Sequence, residues 1–190
     1  AIYVPFDRSH DLQEVAITQN LETKASVKTG RTGGLPYVGI GWYRKSFSVD
    51  HFEKGKRRVT LLFDGAMSEA RVYVNGKEAA FWPLGYNSFH CDVTDFLNAD
   101  GKNNVLAVRL ENKPQSSRWY PGAGLYRNVH LIVTDEIHVP VWGTYITTPY
   151  VSDEYAAVRL ETTVDNLANE NVRVQTEIVN AAKIGRASCR

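Results

Sequence analysis

From Trp42 to Val139 the chain is a succession of short runs in which every second residue is apolar. Val59, Leu61 and Phe63 fall on one side of such a run, Leu106, Val108 and Leu110 on one side of another, and Val129, Leu131 and Val133 on one side of a third. A repeat of two belongs to the β-strand, which sends successive side chains to opposite faces. Turn-forming residues recur about every ten positions, the spacing of an all-β sandwich or barrel, and each apolar face then needs a facing sheet to cover it. The sharpest local signal is Asn75-Gly76, between two strand-like runs within residues 68–82. A type I′ hairpin turn requires positive φ at both central residues, and this dipeptide accepts it. A short helical turn is expected at 94–98, with Thr94 capping it and Phe96 and Leu97 covering one end of the sandwich. No amphipathic helix exceeds about three turns, which argues against an α/β fold or a (β/α)8 barrel in this chain.

The flanks read differently. Residues 1–41 crowd Gly30, Gly33, Gly34, Pro36, Gly39 and Gly41 ahead of the first strand signal, a loop-rich approach. Beyond Val139 three further runs are expected to be strands, at 142–149, 155–165 and 171–179. Val158, Leu160, Thr162 and Val164 alternate, as do Val172, Val174, Thr176 and Ile178, in the manner of the opening strands of an immunoglobulin-like sandwich. Such a sandwich takes about seven strands, so only part of one is expected. The final residues, Lys183 to Arg190, are basic and small with no strand pattern, and read as a truncation or a foreign tail.

A chain of 190 residues has room for one domain and part of another. Its 43% hydrophobic and 23% charged residues are ordinary for a chain that folds in water. Twenty-two basic against 21 acidic residues leave a net charge of +1 without blocks of one sign, which argues against nucleic acid as a partner. No run approaches the ~18 apolar residues of a membrane helix, so no membrane partner is expected. The first five residues have no leader pattern and no initiator Met, and the true start is expected upstream. Cys91 and Cys189 stand far apart and do not form a disulfide framework.

The candidate chemistry is sparse. His10, His51, His90, His130 and His138 are scattered without metal-ligand spacing, so no metal and no cofactor are expected. The glycines of residues 30–41 lack the spacing of a phosphate-binding loop. No Gly-x-Ser-x-Gly elbow is present and no catalytic residue is expected. The most informative stretch is SSRWYPGAG, Ser116 to Gly124, lying between two strands. Arg118, Trp119 and Tyr120 are the candidate sugar-binding residues: aromatic faces pack on the C–H faces of sugars, and a guanidinium offers fixed donors to hydroxyl or carboxylate oxygens. The alternative is structural, with Trp119 and Tyr120 capping the sandwich and Arg118 paired to an acid.

Three segments in order resemble the sugar-binding domain of glycoside hydrolase family 2, most like its β-galactosidase members. They are GGLPYVGIGWYRKSFSV from Gly33; LLFDGAMSEARVYVNGK with GYNSFHCDVTDFL; and SRWYPGAGLYRNVHLIV, which carries Ala-Gly-Leu-Tyr-Arg-x-Val at 123–129. The resemblance implies a jelly-roll-like antiparallel β-sandwich at 1–139 lacking its first strand, a partial immunoglobulin-like domain at 140–182, and a tail at 183–190. It implies a parent enzyme that hydrolyses terminal β-galactosides with retention, using two glutamates of a (β/α)8 barrel that this chain lacks. The partners it implies are a β-galactoside and that barrel. It leaves open a homo-oligomeric parent and a periplasmic, secreted or cytoplasmic location. Asn169-Glu170 repeats the dipeptide of the family's acid/base but lies between expected strands and is given no role. Nine residues before Arg127, where the family commonly carries an aspartate that reaches the active site, this chain has Arg118. That exchange keeps a β-glucuronidase-like substrate in view, since a guanidinium pairs bidentately with a carboxylate. A stand-alone carbohydrate-binding module is the third reading.

Overall fold

A computed structural model describes residues 39–111, 124–179 and, for the backbone alone, 187–188. The chain divides into two compact units, Ala1–Glu136 and Ile137–Arg190.

The first unit is an all-β, jelly-roll-like antiparallel sandwich. Strands β1 (Ile40–Phe47), β2 (Arg57–Phe63), β3 (Ala70–Val74), β4 (Lys77–Trp82), β5 (Phe89–Asp92), β6 (Asn104–Glu111) and β7 (Val129–Asp135) follow in chain order. They sort into a four-stranded sheet, β1-β6-β3-β4, and a three-stranded sheet, β5-β2-β7. Apart from the β3–β4 hairpin, every connection between these strands moves to the other sheet, so strands distant in sequence become neighbours. Val59, Leu61 and Phe63 are fully buried, as the two-residue period predicts, and face Val72, Val74, Leu106, Val108 and Leu110 in one cluster. Phe63 stacks on Phe89 with ring centroids 4.6 Å apart, and Trp82 stacks on Phe89 at 5.6 Å. Burying a side chain of this size is worth about 1.5–3 kcal/mol, so these faces are what hold the two sheets together.

The Asn75-Gly76 turn forms as expected, with φ of 51° and 80° and Val74 paired to Lys77. Asn75 does more than turn the chain. Its Oδ1 accepts the Val105 amide at 2.9 Å, and its Nδ2 donates to the Phe96 carbonyl and to Asn104 Oδ1, each at 2.9 Å. Asn104 is wholly buried and spends its own amide on the Gly101 carbonyl at 2.7 Å. Buried polar groups are tolerable when paired in this way.

Four expectations need correction. Thr94 opens the short 3-10 turn Thr94–Phe96 but makes no cap there. Its hydroxyl accepts the Val59 amide at 2.8 Å, and Asp92 Oδ1 receives the Thr94 amide instead, because a buried strand amide needs a partner more than an exposed turn does. Val129 is buried but Val133, on the same face, is 40% exposed; among the described residues β7 has only β2 beside it. In the second unit, β8 (Ile137–His138) pairs with β11 (Asp165–Asn166), and β9 (Thr144–Val151) forms a hairpin with β10 (Ala156–Thr162). The third expected run shortens to β12 (Glu177–Ile178), and Val172 and Val174 lie exposed outside any strand. Finally, the tail is not devoid of pairing: β13 (Ala187–Ser188) bonds to β12. Alternation alone does not make a strand where no facing sheet buries it.

Candidate functional site

Arg118, Trp119 and Tyr120 lie outside the described residues. What the structure gives is the anchorage from which their segment leaves and to which it returns. β6 ends at Glu111, and the chain is described again from Gly124. Both ends are fastened to the same dipeptide, Met67-Ser68. The Glu111 amide donates to the Ser68 carbonyl at 2.9 Å, and the Ser68 hydroxyl donates to the Glu111 carbonyl at 2.8 Å. Met67 and Gly124 form an isolated antiparallel bridge, exchanging N–H···O bonds of 3.1 and 3.0 Å.

Three glycines make this junction tight enough to close. Gly124 has a φ of 111°, outside the range of ordinary residues, and a Cβ there would strike the Tyr43 hydroxyl. A Cβ on Gly65 would lie 2.7 Å from the Tyr126 hydroxyl, and one on Gly85 would overlap the Met67 thioether. Tyr126 then donates its hydroxyl to the Gly85 carbonyl at 2.9 Å. Burial raises the pKa of the Tyr43 phenol, while a hydrogen bond from the Leu125 backbone pulls the other way. Tyr43 is therefore a neutral prop beneath the returning chain.

Beside the junction runs a polar seam. His130 Nε2 meets Asp64 Oδ2 at 2.9 Å, both side chains about one-third exposed. The Asp64 backbone carbonyl accepts Ser88 Oγ at 3.0 Å and Arg127 Nη1 at 3.4 Å, and the Arg127 guanidinium lies 5.3 Å from the centre of the Tyr126 ring. Arg109 and Glu111, which lead into the segment, form an ion pair of 2.9 Å. Among the described residues no group of three or more His, Cys, Asp or Glu side chains is arranged to hold a metal ion. Asn169 and Glu170 sit in a turn of the second unit, where Asn166 brackets the backbone of Glu170. Sequence reasoning missed Met67, Ser68, Gly85 and the Asp64–His130 pair, whose contacts join positions too distant for a local pattern to show.

Comparison with known proteins places this geometry. The family model described as "Glycosyl hydrolases family 2, sugar binding domain" matches residues 1–135. A β-galactosidase of Bacteroides ovatus is 46% identical over 156 residues, 80% of this chain and 18% of the relative. A β-glucuronidase of Bacteroides fragilis is 30% identical over 194 residues, 94% of this chain and 27% of the relative. The crystal structure of a family 2 glycosyl hydrolase from Bacteroides cellulosilyticus superposes with a TM-score of 0.71 at 34% identity, covering 85% of this chain and 21% of that one. The chain thus spans roughly a fifth of the length of the relatives it matches.

Proposed function

The chain belongs to family 2 of the glycosyl hydrolases, through the sugar-binding domain of that family, and from that premise we propose that it is the non-catalytic, sugar-contacting and supporting portion of a retaining exo-β-glycosidase. The observation that carries this reading is the fastening of Glu111 and Gly124, which flank residues 112–123, on the same dipeptide Met67-Ser68. The sandwich thereby fixes the two ends between which Arg118, Trp119 and Tyr120 stand in the sequence, as a scaffold does for a binding loop. The two carboxylates of retaining hydrolysis belong to the remainder of the parent protein. We place the working boundaries at 1–139 for the sandwich, 140–182 for an immunoglobulin-like domain and 183–190 for a tail.

The substrate we favour is a terminal β-galactoside, supported by the 46% identity to a β-galactosidase against 30–32% for the β-glucuronidases of comparable coverage. A β-glucuronide is the second reading, supported by those same β-glucuronidases and by Arg118, a guanidinium suited to a sugar carboxylate. The test is Arg118→Ala in the full-length parent, assayed on aryl β-galactoside and aryl β-glucuronide. The galactoside reading expects galactoside kcat/KM to fall about tenfold, the loss of roughly one good hydrogen bond to the transition state. A loss confined to the glucuronide supports the second reading, and unchanged kcat/KM on both removes Arg118 from the site.

A further inference from the structure

The outer face of the four-stranded sheet carries a row of side chains that the core does not use and that meets the loop junction only through the Arg109–Glu111 pair. The register sets Trp42 beside Arg109, Arg109 beside Arg71, and Arg71 beside Phe81, one residue from each of β1, β6, β3 and β4. Three strand spacings put the ends of this row roughly 14 Å apart. Trp42 is 55% exposed and Phe81 45%. Both rings are held from the side. Trp42 leans on Tyr73 with centroids 5.6 Å apart, across a strand position filled only by Ala107, and Arg71 lies 4.6 Å over the Phe81 ring.

The centre of the row is polar but its charges are spent. Arg109 is bonded to Glu111 at 2.9 Å and Arg71 to Glu78 at 2.8 Å. Each guanidinium keeps N–H groups beyond the one it shares, and each carboxylate keeps lone pairs, so the row itself offers fixed donors and acceptors with its charges balanced, while Arg44, the next outward residue of β1, adds one positive charge beside it. An apolar protein surface laid on it would have to desolvate two ion pairs, which is costly. A strong anion would compete with Glu78 and Glu111 for the same guanidinium groups. A neutral, hydroxyl-rich ligand satisfies both ends and middle: ring C–H faces pack on the aromatics, and hydroxyls bond the paired charges while staying partly wet.

We propose that this face is a binding platform for a neutral oligosaccharide chain, long enough for more than one sugar ring, with Trp42 and Phe81 as its end contacts. It rests on the carbohydrate reading of the domain but not on Arg118 or on the identity of the glycone. The test titrates the whole 190-residue chain with β-1,4-galactotetraose and, as anionic counterpart, tetragalacturonate, following tryptophan fluorescence and heat. The expected result is saturable binding of the neutral tetramer, weakened about tenfold or more by Trp42→Ala and by Phe81→Ala. Trp42→Phe should retain most of the affinity, Lys56→Ala, on the exposed turn before β2, should leave it unchanged, and all of these variants should keep the unfolding midpoint of the unsubstituted chain. No saturable binding of the neutral tetramer, preference for the anionic one, or loss on Arg118→Ala but not on Trp42→Ala would overturn the platform. So would concentration-dependent dimerisation abolished by Trp42→Ala, which would make a second copy the occupant. Activity of the Arg118 variants in the parent is read separately, so failure here and failure of the glycosidase reading remain distinct.

Discussion

The hydroxyl of Tyr43 occupies the space that a side chain on Gly124 would need, and Gly124 is also the residue whose backbone closes the bridge to Met67. One prop thus sets the point at which the chain re-enters the sandwich. Gly124→Ala should cost about 2 kcal/mol or more, from the positive φ and the collision together. Adding Tyr43→Phe removes the struck atom but not the φ penalty, so the pair should be non-additive and recover part of the loss. Urea unfolding of the four proteins of this cycle measures the coupling; strict additivity would mean the two residues do not meet.

Asn75 has two duties that substitution can separate. Asn75→Gly keeps the positive φ of the hairpin but deletes the bonds to Val105, Phe96 and Asn104. It leaves the buried Asn104 carbonyl short of one donor, so the expected loss is about 2 kcal/mol. Asn75→Ala should lose more, because it adds backbone strain. If Asn75→Gly unfolds at the same urea concentration as the parent chain, the network contributes nothing.

These two residues also mark what a reader of the sequence can and cannot see. Asn75-Gly76 announces its turn, and Leu106, Val108 and Leu110 announce a buried face, because both signals are local and every neighbour agrees with them. The clasp of Met67 on Gly124 and the pairing of Asp64 with His130 join positions far apart in sequence that the sheet topology brings together, and no period encodes them. Val172 and Val174 show the opposite failure, an alternation that no facing layer among the described residues turns into a strand. Arg118, Trp119 and Tyr120 offer sugar-binding chemistry in the sequence with a structural role as the alternative, and they lie outside the described residues; what the structure adds is the bonding of Glu111 and Gly124 to Ser68 and Met67.

Cys91 should make the sandwich sensitive to alkali. Burial first, and the neighbouring Asp92 charge second, push its thiol up to about 12 from an ordinary 9.0. The folded state therefore keeps the thiol protonated while the unfolded chain releases the proton. Its contribution is fully present below about pH 9 and is lost, by up to ~1.4 kcal/mol per pH unit, as pH rises towards 12. Cys91→Ala should lower stability at neutral pH by leaving a small void yet flatten the alkaline fall. Equal slopes for both proteins above pH 9 would show that another group governs it. Native Cys91 should also resist alkylation at pH 8, and reaction at the rate of a free thiol would contradict its burial.

The 190-residue chain should hydrolyse no aryl β-galactoside, since the carboxylate pair of the retaining reaction is assigned to the rest of the parent. Purified chain, free of host glycosidase, is assayed beside the full-length protein. Turnover that survives purification and co-elutes with the chain would place catalytic groups here and undo the division of labour proposed above.

Because the chain leaves at Glu111 and is met again at Gly124 on one dipeptide, the sandwich itself sets both ends of the stretch between them. The four hydrogen bonds that hold those ends, two between Glu111 and Ser68 and two between Gly124 and Met67, are made by backbone atoms and the Ser68 hydroxyl, all outside residues 112–123. A side-chain exchange between those ends therefore leaves the atoms of the clasp themselves unchanged, and the span to be bridged is fixed by the frame and not by the insert.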